Sequence, residues 1–329
     1  MKVRVATLTR MINAMRGAPS VANPTAGKPS VGAPAPRDAD DQHHLLCSEL
    51  AGALENDDIY VVYQPKLDLR TGRYAGVETL LRWLHPVRGQ IDPSGLIASA
   101  EASGQIHDLS QWVLGRAIAD QRMIAASAPG LCFHVNISGE SLRFDDFIDK
   151  VCRAAQAASG PVGLEITETA FIADPRASFA NLNRLVAAGI RVSIDDYGSG
   201  HSSLAYLKEL PADEIKIDKL FVSGMTRSNR DPLIVRSTID LAHALGMRVV
   251  AEGVESNAAL ALLRAMGCDM AQGYFISPPL RLGDLAPFLD DAAHLARLNN
   301  TDISLTPPQG FWDRTGHGTA GAGGAGPEE

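Results

Sequence analysis

The sequence is short of the features that mark membrane, secreted and nucleic-acid-binding proteins. No run approaches the roughly 18 apolar residues that a transmembrane helix needs, so no transmembrane segment is expected. The first residues, Met1-Lys-Val-Arg-Val-Ala-Thr-Leu-Thr-Arg10, carry early positive charge, but Arg10 and Asn13 interrupt any apolar stretch, so a cleaved signal peptide is not expected either. There are four cysteines, Cys47, Cys132, Cys152 and Cys268, with no CxxC pair and no evident framework. They read as reduced thiols of a cytoplasmic protein. Cationic excess is missing as well. A formal net charge of −8 excludes a general binder of polymeric nucleic acid, while leaving room for a small phosphate ligand held by a few local cations.

What is present is the composition of a globular enzyme, 45% hydrophobic and 21% charged over 329 residues. Residues 1–41 are rich in Pro, Ala, Gly and Ser and read as a low-complexity leader that cannot bury enough apolar surface to fold. Its first part, Met1–Arg16, has Lys2, Arg4, Arg10 and Arg16 and no acid, and reads as a solvated extension or a short amphipathic surface anchor. Residues 299–329 read as a flexible Gly-rich tail. Between them, over 42–298, strands and helices alternate. Strand-like runs fall near 59–69, 74–83, 131–138, 162–168, 190–196, 214–218, 248–254 and 270–276. Helical periodicity is clearest over Ile106–Ala128, Arg176–Ala188, Pro232–Leu245 and Ala258–Met266, with Gly189 and Gly246 placed as C-caps. Eight strands with interleaved helices over about 240 residues match a (β/α)8 TIM-like barrel. Only Arg70-Thr-Gly-Arg73 separates the first two strands. That link is too short for a crossover and suits a hairpin, so the first strand is expected to run antiparallel to its neighbour.

Six short apolar runs each end on a carboxylate, an amide or a lysine. They are Gly76-Val-Glu-Thr-Leu-Leu-Arg82, Phe133-His-Val-Asn-Ile-Ser138, Leu164-Glu-Ile-Thr-Glu168, Val192-Ser-Ile-Asp-Asp196, Ile215-Lys-Ile-Asp218 and Val249-Val-Ala-Glu-Gly253. Desolvating a carboxylate is costly and a metal ion is the usual compensation. In a parallel barrel the C-terminal strand ends open on one face. One such carboxylate reads more readily as a helix N-cap or a rim ion pair than as a ligand; five at successive strand ends read as a site. Glu78, Glu165, Asp195, Asp196 and Glu252, with Asn136 as a neutral donor, offer only hard ligands, the set that suits Mg²⁺ or Mn²⁺. Adjacent Asp195 and Asp196 face opposite ways in a regular strand, but a bend at its end lets one bridge two ions while the other serves one. Period-two alternation places Lys216 and Asp218 toward the lumen. Lys216 is then either a structural counter-ion or a group that orients attacking water. The run Tyr197-Gly-Ser-Gly-His-Ser-Ser203 reads as a loop able to close over a phosphate or metal site.

From about His43 to Asp290 these motifs resemble the EAL-domain family, bacterial phosphodiesterases of the second messenger cyclic di-GMP. The signature stands here as Glu78-Thr-Leu-Leu-Arg82, followed by Trp83 and His85-Pro86. Tyr63-Gln-Pro65, Asn136-Ile-Ser138, Glu165-Ile-Thr-Glu168, Asp195-Asp-Tyr-Gly-Ser-Gly200, Lys216-Ile-Asp218, Ala251-Glu-Gly-Val-Glu255 and Gln272-Gly-Tyr274 also match, in order. The resemblance implies a barrel with an antiparallel first strand and a site for two ions, Mg²⁺ or Mn²⁺. It implies Glu78, Asn136, Glu165 and Asp195 as ligands of one ion, Asp195 bridging, Asp196 on the second, and Glu252 as a further acid of the site. Lys216 corresponds to the water-orienting lysine and Gln272 to a glutamine near that water. Gln64 and Arg82 match dinucleotide contacts, and Glu168 matches the acid that ties down the loop after Asp196. The implied product is the linear 5′-phosphoguanylyl-guanosine, and a homodimer through the face near that loop is implied as well. Three positions depart from the family pattern: Thr79 for alanine, Tyr197 for phenylalanine, and His201 where tyrosine is common. The alternative is an EAL-like receptor that senses cyclic di-GMP through a protein partner; such members lose metal ligands, and none is missing here. An enolase-type barrel lyase is a third reading, which the ordered motifs disfavour. No companion sensor, receiver or cyclase domain is legible in the leader.

Overall fold

The computed structural model describes residues 39–167, 175–198 and 207–300. The leader before Ala39, the tail after Asn300, Glu168 and His201 lie outside the described residues. The hairpin comes first. Strand β1 (Ile59–Asp68) and strand β2 (Arg73–His85) pair antiparallel from Ile59–Trp83 to Asp68–Arg73, with a register shift between Lys66 and Leu67. Their turn is set by Asp68, whose carboxylate accepts the backbone N–H groups of Arg70 and Thr71 at 3.0 and 2.7 Å.

Six more strands complete the wall: β4 (Cys132–Ile137), β5 (Val162–Thr167), β6 (Arg191–Tyr197), β7 (Glu214–Ile217), β8 (Arg248–Ala251) and β9 (Met270–Ala271). Every neighbouring pair from β2 through β4 to β9 is parallel; β9 then pairs with β1, and the β1–β2 pairing closes an eight-stranded barrel. Only β1 runs the other way, as its four-residue link to β2 requires. Strand β3 (Gly89–Ile91) lies outside the barrel against the end of β2. The sequence patterns did not anticipate it, because three residues after a turn carry no periodicity.

Helices surround the wall. They are α1 (Ala39–Glu55), α2 (Pro93–Ala102), α3 (Ile106–Ile124), α4 (Asp145–Gln156), α5 (Pro175–Ala187), α6 (Lys219–Gly224), α7 (Asp231–Ala244), α8 (Asn257–Ala265), α9 (Leu282–Leu289) and α10 (Ala292–Asn299). The four helices expected from periodicity are α3, α5, α7 and α8. Gly189 and Gly246, at φ +80° and +76°, follow the ends of α5 and α7 as C-cap glycines. Alternation along each strand separates two kinds of interior. Leu164, Ile166, Val192, Ile194, Ile215, Ile217 and Val249 face the helices and are buried there, while Lys66, Glu165, Glu214 and Lys216, also buried, alternate with such residues toward the lumen. Cys132 and Cys268 are free and buried, and burial pushes both thiols up to about 12.

The last strand is shorter than the run 270–276 expected. Beyond Ala271 the chain crosses over the 252–254 segment, with Val254 N–H donating to Gln272 and Phe275 N–H donating to Val254. Gly273 permits this close approach: a Cβ there would lie 2.2 Å from Val254 N and 2.3 Å from Val254 O, both backbone atoms. Gly273→Ala is therefore expected to lower stability by about 2–3 kcal/mol, measured as a shift of the denaturation midpoint. An unshifted midpoint would contradict this packing.

Candidate functional site

The antiparallel register lays out the site as a ladder. Tyr60 pairs with Arg82, Val62 with Leu80, Gln64 with Glu78 and Lys66 with Gly76, descending from the mouth into the lumen. The parallel strands carry the remaining groups in turn: Asn136 pairs with Glu165, Thr167 with Asp195 and Lys216 with Val250.

Lys216 stands at the centre. Its Nζ lies 2.5 Å from Glu165 Oε2, 2.6 Å from Glu252 Oε1, 3.2 Å from Asp195 Oδ1 and 3.8 Å from Glu78 Oε1. Glu78 in turn accepts from Asn136 Nδ2 at 2.9 Å and from Gln272 Nε2 at 2.5 Å. Gln272 also donates to Gln64 Oε1 at 2.9 Å, and Gln64 donates to the Ser277 carbonyl at 3.0 Å. The structure thus brings Glu78, Asn136, Glu165, Asp195, Lys216, Glu252, Gln272 and Gln64 into one connected, largely buried cluster.

Asp196 joins them through the bend that the strand end allows. It is buried, with φ +55°, and the β6–β7 register shifts between Ile194 and Tyr197. Asp is among the residues that tolerate that left-handed conformation. Its N–H donates to Asp195 Oδ1 at 2.9 Å, and its own carboxyl lies within reach of the charges of Asp195, Lys216 and Glu78. Arg82 lies one step outward. Half-buried, it donates to the Leu81 carbonyl at 2.7 Å, and its cross-strand partner Tyr60 carries the Arg281 guanidinium 3.5 Å above its ring. Asp218 follows the end of the strand, close enough for its charge to raise Asp196. Its carboxylate accepts the Leu220 N–H at 2.7 Å and caps α6, because the strand has already ended at Ile217.

Sequence reasoning missed the lower layer. Lys66, fully buried, donates to Glu165 Oε1 at 2.6 Å and lies 4.0 Å from Glu214 Oε1. Glu214 accepts from Ser193 Oγ and from Arg248, each at 2.7 Å. His134 Nδ1 lies 3.6 Å from Glu165 Oε1, and burial, with Lys66 alongside, pushes its pKa down to about 4, leaving a neutral ring. The available signal was strand parity: Lys66 is two residues from Gln64, and Glu214 two from Lys216.

Charge decides what the cluster can do. Burial pushes the Lys216 ammonium down, yet Asp195, Glu165, Glu252 and Glu78 hold it well above its ordinary range. Burial raises Glu165, but Lys216 and Lys66 outweigh it and hold this carboxyl below the usual range. The other acids go the opposite way. Burial, and then neighbouring carboxylates, raise Glu78; burial alone is the largest cause for Glu252, which lies well above its usual range. Asp196 is raised to about 8 by burial and by Asp195 and Asp218. Among the described residues no three His, Cys, Asp or Glu side chains are grouped around a single ligating point; the carboxylates close on the ammonium of Lys216 instead. Five buried carboxylates nevertheless share two ammonium groups, and every spare donor is a hard oxygen. That deficit of positive charge fits hard divalent cations.

The deficit has a measurable consequence. Raised carboxyl pKa values stabilise the fold at low pH and lose that contribution as pH climbs through them. The lysines stay charged throughout this range, and the depressed His134 acts only below about pH 6.5. With Asp196 raised to about 8, metal-free protein is therefore expected to lose stability between about pH 6.5 and 8, by a few kcal/mol at most, and the loss should shrink when Mg²⁺ or Mn²⁺ is added. Thermal melts across that range with and without metal test the sign. A metal-free melting temperature that rises toward about pH 8 would contradict it.

A closed barrel with one reversed strand and a carboxylate–lysine cluster at its mouth defines a class of barrel with a candidate site for divalent-cation chemistry. The comparisons name the family. The EAL domain model matches residues 48–279. The chain is 40% identical over 260 residues to the cyclic di-GMP phosphodiesterase NbdA of Pseudomonas aeruginosa, covering 76% of this chain and 33% of that protein. It is 36% identical over 239 residues to a second cyclic di-GMP phosphodiesterase of P. aeruginosa, covering 71% of this chain and 41% of that one. Among solved structures, the MucR phosphodiesterase in complex with c-di-GMP matches with a TM-score of 0.69 at 36% identity, covering 73% of this chain and 99% of that one. The EAL enzyme Bd1971, bound to cAMP and cyclic di-GMP, matches with a TM-score of 0.72 at 29% identity, covering 77% of this chain and 70% of that one. The chain belongs to the EAL domain family. It spans between a third and about two fifths of the length of the two curated relatives.

Proposed function

We propose that this chain is a Mg²⁺- or Mn²⁺-dependent cytoplasmic phosphodiesterase that hydrolyses cyclic di-GMP to the linear dinucleotide 5′-phosphoguanylyl-guanosine. The observation that carries the reading is the uncompensated carboxylate cluster around Lys216 at the barrel mouth, in a chain whose relatives are named for this activity. Glu78, Asn136, Glu165, Asp195, Asp196 and Glu252 would hold two ions, with Asp195 and Asp196 brought together by the bend at Asp196. When bound, such ions draw charge from phosphoryl oxygens and make water acidic enough to attack at neutral pH.

The remaining residues place the reactants. Lys216 orients the attacking water and offers positive charge to the phosphoryl group as negative charge builds there. Gln272, held by Glu78 and Gln64, donates at the same level. Arg82, one step outward, meets a phosphate oxygen of the dinucleotide, and Gln64 forms the floor beneath it. Glu168 steadies the loop after Asp196 in this reading. The face near the loop after Asp196 suits a homodimer, since Leu233 and Ile234 of α7 are exposed there and line one depression with Tyr197.

Chromatography of cyclic di-GMP incubated with purified protein tests the reading. A linear dinucleotide formed in Mg²⁺ or Mn²⁺ is the expected product. Tight binding in Ca²⁺ with no turnover in Mg²⁺ or Mn²⁺ would replace the enzyme by a receptor.

A further inference from the structure

Glu165 is the one acid of the cluster held from both sides. Lys216 takes Oε2 from the mouth at 2.5 Å, and Lys66 takes Oε1 from the closed end of the lumen at 2.6 Å. We propose that Lys66 is a positioning residue for Glu165, holding Oε1 so that Oε2 is the oxygen offered to a divalent cation at the mouth. This inference rests on the metal-site reading above.

Lys66 reaches that place because β1 is the reversed strand. Counting by twos from Gln64 along β1 leads deeper into the lumen, and the residue opposite Lys66 in the register is Gly76, which has no side chain to compete for the space. Once there, the ammonium has one hydrogen-bond acceptor among the described residues, Glu165. Glu214 is 4.0 Å away and already accepts from Ser193 and Arg248. His134, the other titratable group packed on Glu165, stays neutral and its Nδ1 makes no hydrogen bond. Without Lys66, Lys216 would be the sole cation on Glu165. Both carboxylate oxygens would then turn toward it, drawing it from Glu252, Asp195 and Glu78.

A charge-balancing role and a positioning role predict opposite signs. A buried ammonium near a cation site repels a divalent ion, so Coulomb's law alone predicts tighter metal binding when Lys66 is neutralised. Positioning predicts weaker binding, and only while Glu165 is a carboxylate. The test is a direct Mn²⁺ binding isotherm on the full chain for wild type, Lys66→Met, Lys66→Gln, Glu165→Gln and the Lys66→Met/Glu165→Gln double variant. Lys66→Met is expected to weaken Mn²⁺ binding about tenfold and to add nothing in the Glu165→Gln background. Lys66→Gln, whose amide still donates to Oε1, is expected to lose about threefold. That variant carries the comparison if Lys66→Met does not fold. Unchanged or tighter Mn²⁺ binding in the Lys66 variants, beside a wild type that binds, would overturn the inference alone. A wild type that binds no Mn²⁺ would overturn the metal-site reading and this inference with it.

Discussion

Lys216→Met is expected to reduce turnover of cyclic di-GMP by about a thousandfold or more at saturating metal, the range over which a positioned proton donor contributes. The side chains match in length, so the loss reports the ammonium itself. The same change is expected to destabilise the metal-free protein by about 3–5 kcal/mol, because buried charges that lose their partner keep their desolvation penalty. Lys216 Nζ is the cation within 3.8 Å of Glu78, Glu165, Asp195 and Glu252. Metal that binds only the folded site should restore much of this stability while leaving turnover low. Lys216→Arg is not expected to rescue activity, since a planar guanidinium cannot occupy a point converged on by four carboxylates. Turnover within tenfold of wild type for Lys216→Met would remove the lysine from the mechanism.

The second large effect has stability and activity moving in opposite directions. Glu78→Gln is expected to lower turnover about a thousandfold, by withdrawing an anionic ligand from the site. It should also raise the stability of the metal-free protein at pH 8–9 by about 1 kcal/mol. Glu78 sits among Glu165 and Asp195, and burial with that repulsion raises its pKa. A neutral amide removes the repulsion. It keeps an oxygen for one of the two donors, Asn136 and Gln272, that Glu78 now satisfies. Such a trade is the mark of a residue placed for a ligand rather than for the fold. A Glu78→Gln protein that is both less active and less stable without metal would argue for a structural carboxylate.

How far the sequence anticipated this can be argued residue by residue. The reversed first strand was legible because four residues between two strand-like runs admit only a hairpin, and β1 pairs with β2 from Ile59 to Asp68. The carboxylates were legible because apolar runs ended on charge. Asp195 and Asp196 needed a bend, and the structure supplies it at Asp196, with φ +55°. Lys66 was legible only through strand parity with Gln64, and its burial depends on the register that puts Gly76 opposite. Parity alone gave no sign that Asp218 also caps the helix that begins where β7 ends. The length of β9 was overestimated because the apolar pattern of 270–276 reports burial, while Gly273 turns the backbone across Val254 instead of along a ladder.

The central claim is that the carboxylate cluster is a metal centre whose occupancy produces phosphodiester hydrolysis. The most direct test is to titrate Mn²⁺ into chelator-treated protein, reading bound metal and linear dinucleotide formation in the same samples, with Glu78→Gln alongside. Turnover that rises with occupancy, and a variant that fails in both, is the predicted result. Turnover that persists in excess chelator, or full occupancy with cyclic di-GMP left intact, would contradict it.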